Sequence, residues 1–120
     1  MSKNSKQIIK KAIENTKQIS AEELMENRQK FLILDVREKE EIDIEPGFEN
    51  SLKIPRGLLE FYADEESPLY DKRFETDKTI VALCALGLRG ALAAKTLQDM
   101  GYNKVGNLKG GLNSLKQGGY

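Results

Sequence analysis

Apolar residues fall in short blocks between charged stretches, and the spacing inside each block separates helix from strand. Across residues 3–17, Ile8, Ile9, Ala12 and Ile13 recur at helical spacing among lysines, which predicts an amphipathic helix packed on the rest of the chain. Ser20-Ala21-Glu22-Glu23 reads as a helix start, because Ser20 can cap free amides while Glu23 reaches back to the Ser20 amide. Residues 31–34, closed by Asp35, and residues 79–83, closed by Cys84, are continuous apolar runs short enough to be strands buried on both faces. They predict parallel core strands.

Between these runs, residues 51–54 predict a third strand stopped by Pro55, and residues 56–62 carry Leu58, Leu59, Phe61 and Tyr62 at helix-like spacing. Residues 63–77 are acidic and polar with one proline, and read as an exposed loop. After Cys84 the residues Ala91, Leu92, Ala94, Lys95, Leu97 and Gln98 are strong helix formers, ending at Met100-Gly101, where glycine suits a left-handed cap. Residues 104–106 predict the last strand, residues 107–115 lead through two glycines into a closing helical turn, and residues 117–120 read as a frayed tail. Strands alternating with helices imply an α/β fold with an open, mostly parallel sheet covered on both faces. Ligands in such sheets gather at the carboxyl ends of strands, where Asp35 and Cys84 sit.

Composition narrows the classes. A chain of 120 residues, 39% apolar and 32% charged, suits one core, since each half alone would bury too little apolar surface. The 19 basic and 19 acidic side chains cancel, so no global field draws the chain to nucleic acid or an anionic membrane. Any bound anion must be held locally. No apolar run approaches the roughly 20 residues of a membrane span. Residues 1–11 are polar and basic, without the apolar stretch of a secretory signal, so a cytoplasmic location is expected. The single cysteine excludes an intrachain disulfide, and the absence of histidine excludes Cys-His and Ser-His pairs and histidine metal sites.

The candidate chemistry lies in Cys84-Ala85-Leu86-Gly87-Leu88-Arg89-Gly90, which follows a buried strand and opens a helix. Backbone amides in such a loop can turn toward one point and form an anion-sized cradle. The amides, the helix dipole and Arg89 would together favour a thiolate without an imidazole base. Gly87 supplies a residue free to take positive φ, and a guanidinium at 89 can bridge two oxygens of a tetrahedral anion. Taken alone, a cysteine and an arginine at this spacing are more often a buried hydrophobe and a solvated side chain. The strand before, the glycine within and the helix after favour the functional reading.

Four motifs in order resemble the rhodanese-like family: Leu34-Asp35-Val36-Arg37-Glu38, then Ile54-Pro55-Arg56-Gly57 with Leu59-Glu60-Phe61, then residues 84–89, then Asn107-Leu108-Lys109-Gly110-Gly111. The resemblance implies a rhodanese-like sheet of about five short strands over residues 18–120, preceded by an amino-terminal helical extension over residues 1–17. It implies a sulfurtransferase in which the Cys84 thiolate attacks the outer sulfur of a donor, holds it as a persulfide and yields it to a thiophilic acceptor, cyanide or a thiol. The donor would be a small sulfur-containing anion such as thiosulfate, or a thiol or protein persulfide, and no cofactor or metal is needed. Ala85, Leu86, Gly87, Leu88 and Arg89 would line the substrate cradle. Arg56 stands between a place at the pocket mouth and a structural role, whereas Asp35 and Arg37 are expected to tie the sheet edge to its loops.

The loop from Cys84 to Arg89 has six residues, the family's length for sulfur transfer, one shorter than the related phosphatase loops. The chain departs from the family pattern at Leu86, where a small or hydroxyl residue is common, at Gly90, where serine is common, and in residues 45–51, which lack the usual histidine. Leu86 and Leu88 make an apolar rim that points to a thiol or protein-bound donor. Two other readings stay open: a non-catalytic binding or regulatory module, and a cysteine phosphatase or arsenate reductase.

Overall fold

The two continuous apolar runs form neighbouring central strands. β2 (Phe31–Asp35) and β4 (Thr79–Leu83) run parallel, with Ile33 opposite Val81 and Asp35 opposite Leu83. The computed structural model describes residues 4–120. β3 (Leu52–Lys53) continues the sheet beside β2, while β5 (Val105–Leu108) and then β1 (Lys17–Ile19) continue it beyond β4. The order is β1-β5-β4-β2-β3 and every pairing is parallel.

A parallel sheet needs crossover connections, and these bury both of its faces. Alternate residues of β4 therefore enter different cores. Ile80, Ala82 and the following Cys84 join a cluster with Leu59 and Ala63 of α4 (Leu59–Ala63) and Ala93 and Leu97 of α5 (Leu88–Asp99). Val81 and Leu83 join a second cluster with Leu24 of α2 (Ala21–Glu26) and Leu112 and Leu115 of α6 (Gly111–Gln117). No position of β4 from Ile80 onward can be polar, which is why the run is unbroken.

The amino-terminal helix α1 (Ser5–Glu14) is fixed by a reciprocal cap: Asn4 Oδ1 accepts from Gln7 N–H at 2.9 Å and Gln7 Oε1 accepts from Asn4 N–H at 3.1 Å. It packs against α5 through buried Ala12. Lys3, where the sequence pattern begins this helix, lies outside the described residues. The helical spacing of residues 56–62 resolves into a 3-10 turn, Arg56–Leu58, followed by α4. Two elements carry no pattern legible in the sequence. β1 is three residues long with one buried side chain, and α3 (Lys39–Ile44) buries none. The tail does not fray: Tyr120 N–H donates to the Leu115 carbonyl at 2.9 Å and Gly118 N–H to Ser114 at 3.0 Å.

Candidate active site

Cys84 leaves the carboxyl end of β4 with 1% of its surface exposed. The chain then turns through Gly87, at φ 91°, into the twelve residues of α5. This turn points two backbone N–H groups at the sulfur: Sγ accepts from Gly87 at 3.1 Å and from Gly90 at 3.2 Å. Both donors belong to the first turn of α5 or its cap, so the amides left unpaired by the helix find a partner in the sulfur. Such bonds, with the positive end of the helix dipole behind them, stabilise negative charge on sulfur. Glycine is required at 87 by its backbone angle and by space, since a Cβ there would lie 2.8 Å from Gly110 N.

The β5–α6 connection supports the loop from behind. Leu112 N–H donates to the Cys84 carbonyl at 2.8 Å, and Asn113 N–H to the Ala85 carbonyl at 3.0 Å. The approach is so close that a Cβ on Gly111 would overlap the Cys84 carbonyl oxygen. Buried Asn107 of β5 donates from Nδ2 to the Gly87 carbonyl at 3.0 Å and to Gln18 Oε1 at 2.9 Å. Its Oδ1 has no hydrogen-bond partner among the described residues and occupies the space a Cβ on Gly90 would need. Gly90 is therefore not a lost hydroxyl but the clearance this asparagine requires.

Arg89 closes the loop and turns to α3. Its Nη1 donates to Glu41 Oε1 at 2.6 Å and its Nη2 to Glu41 Oε2 at 2.9 Å, a bidentate pair. Hydrogen bonding to Arg89, then to the Glu38 N–H, holds the Glu41 carboxyl at about 2. The same pair raises the Arg89 pKa, against the lowering effect of burial, and charge on Cys84 raises it further. Next to this pair lies a second one, fully buried. Arg37 donates from Nε to Asp35 Oδ1 at 3.0 Å, from Nη2 to Asp35 Oδ2 at 2.8 Å, and from Nη1 to the Glu45 carbonyl at 2.8 Å. Asp35 and Arg37 thus clamp the end of β2 to the loop that follows α3.

Cys84, Ala85, Gly87 and Arg89 share one turn, and Leu86 and Leu88 stand on its outer side at 60% and 45% exposure. Arg56 is directed elsewhere. Its guanidinium bonds to Glu60 at 3.2 Å and to Thr96 Oγ1 at 2.8 Å, two turns along α5, and none of its hydrogen bonds goes to residues 84–89. Glu41 and Asn107 are the two side chains with the most direct hold on the loop; Asn107 opens the fourth motif, but no role follows from that motif alone, and Glu41 stands outside the motifs. Each is separated in sequence from its loop partner, by 48 residues for Glu41 and 20 for Asn107.

A family model described as Rhodanese-like domain matches residues 20–117. The chain belongs to the rhodanese-like family. Among solved structures it is similar to a Rhodopseudomonas palustris protein of unknown function named a possible tyrosine phosphatase. That likeness has 32% identity and a TM-score of 0.92, covering 99% of this chain and 93% of that one. A rhodanese-related protein from Thermoplasma volcanium is 33% identical, with a TM-score of 0.71 over 87% of this chain and 94% of that chain. A NAD-dependent persulfide reductase from A. fulgidus is 31% identical over 91% of this chain, which spans 17% of that longer protein, with a TM-score of 0.61. No curated protein matches the chain. The all-parallel five-stranded sheet is the rhodanese fold, and among the described residues no helix is long and apolar enough to cross a membrane.

Proposed function

We propose that this rhodanese-like chain is a sulfurtransferase that carries sulfane sulfur as a persulfide on Cys84. The observation that carries the reading is the pair of amides, Gly87 and Gly90, aimed at a buried sulfur in a six-residue loop. An outer sulfur added to Sγ would lie in the same turn, where the remaining loop amides and the helix end stabilise its charge. The thiolate is the nucleophile, the donor's remainder leaves with the bonding electrons, and a thiophilic acceptor then attacks the outer sulfur. Thiosulfate-type or persulfide-type donors and cyanide or thiol acceptors fit this chemistry. A lone thiol that must stay reduced between turnovers suits a reducing compartment such as the cytoplasm.

The test is intact mass of the reduced full chain before and after incubation with a panel of sulfane donors. A gain of one sulfur, absent in Cys84→Ser, is the expected result. No gain with any donor overturns the proposal. A second reading, phosphoryl transfer, has the name of the Rhodopseudomonas palustris neighbour on its side. Hydrolysis of an aryl phosphate that Cys84→Ser abolishes would favour it, whereas the short loop speaks against it.

A further inference from the structure

Arg89 is the one charged side chain in the loop, and its charge is already matched. Both terminal guanidinium nitrogens donate to Glu41, and Glu38 adds a further negative field. The neighbouring cations are matched as well: Arg37 by Asp35, Lys39 by Asp43, and Lys116 by Glu45. Among the described residues, these four cations around the loop, Arg89, Arg37, Lys39 and Lys116, therefore each have a carboxylate partner.

Building on the sulfur-carrier reading, we propose that Glu41 is a specificity-determining residue: by neutralising Arg89 it makes the preferred donor a low-charge organic hydropersulfide and disfavours the dianion thiosulfate. To seat its sulfonate on Arg89, thiosulfate must displace the Glu41 carboxylate or bring two negative charges beside it, and either is unfavourable at hydrogen-bonding distance. A hydropersulfide R–S–SH with an uncharged R group carries at most one negative charge. Its organic group finds an apolar rim, since Leu86 and Leu88 are exposed at the loop.

The transfer balances without an outside oxidant or reductant. The Cys84 thiolate attacks the outer sulfur of R–S–SH, the new Sγ–S bond forms as the donor S–S bond breaks, and the electron pair leaves on R–S⁻. The proton of the new Cys84–S–SH neutralises that thiolate, leaving a Cys84 perthiolate and R–SH.

The experiment compares rates of sulfur gain on Cys84, read by mass spectrometry, from benzyl hydropersulfide and from thiosulfate in the full chain. Wild type should react faster with the hydropersulfide. Glu41→Gln keeps the oxygen that accepts from Glu38 N–H but removes the charge, and should raise the thiosulfate-to-hydropersulfide rate ratio roughly tenfold. Glu41→Asp, which keeps the charge, should stay near wild type. Leu86→Lys, at an exposed position that does not threaten folding, should shift the ratio the same way as Glu41→Gln. An unchanged ratio in folded Glu41→Gln and Leu86→Lys, or a wild type that prefers thiosulfate, overturns the role of Glu41 while leaving the carrier intact. Absence of sulfur gain with both donors overturns the carrier reading and this one together.

Discussion

Asn107 Nδ2 donates to the Gly87 carbonyl at 3.0 Å, while the oxygen of the same side chain abuts Gly90. One β5 side chain thus touches both residues whose amides face the Cys84 sulfur. Gly90→Ser, which restores the residue common in the family, is expected to collide with Asn107 and lower stability by about 1 to 3 kcal/mol. It should also slow alkylation of Cys84. Pairing it with Asn107→Ala should relieve the collision but recover each only in part, because the same change removes the bond to the Gly87 carbonyl. A thermal melt and an iodoacetamide rate check this, and a Gly90→Ser protein matching wild type in both would refute it.

Gly87→Ala tests the turn itself. The backbone at φ 91° and the 2.8 Å approach to Gly110 N leave no unstrained place for a methyl group. The substitution should destabilise the fold by about 1 to 3 kcal/mol and misdirect the amides, so sulfur gain on Cys84 should fall more than the melt alone explains. A melting temperature and sulfur uptake both at the wild-type level would show that the turn tolerates a side chain.

The Arg89–Glu41 pair sets an acid dependence whose sign is fixed. Glu41 is held at about 2, below its ordinary 4.5, chiefly by Arg89. Its stabilising contribution is complete above pH 4.5 and disappears as pH falls toward 2. The pair is partly exposed, so solvent screening keeps the effect near 1 kcal/mol. Urea unfolding from pH 5 to pH 2 should show a steeper loss in wild type than in Glu41→Gln. Parallel curves would remove the pair from the account.

Leu83 contributes no exposed surface and packs in the cluster that α2 and α6 close. Leu83→Ala should cost about 2 to 5 kcal/mol, measured by chemical denaturation. A loss below 1 kcal/mol would contradict burial of the strand end next to Cys84.

The central sheet and the cysteine loop were legible because their physics is local. Strands β2 and β4 declare themselves by unbroken apolar runs, and the helix after Gly87 by its alanines and leucines. α3 was silent because the segment Lys39–Ile44 buries nothing and folds on a cap formed by Glu38 and Glu41. β1 was silent because three residues with one buried side chain give no period to detect. The cause of the Gly90 departure is hidden for a related reason. Sequence alone shows the absent hydroxyl, whereas the asparagine that fills its place lies 17 positions further on and on another strand.

The bond from Asn107 to Gln18 bears on where this protein can be cut. Gln18 lies on the outermost strand, in register with Asn107, and receives one of its two N–H groups. The family match begins two residues later, at position 20. A fragment started there would keep every residue of the cysteine loop yet leave an asparagine beneath it short of a partner and β5 as a bare edge. Expression trials that trim to the family limits should yield a looser nucleophile and a strand open to pairing with other chains.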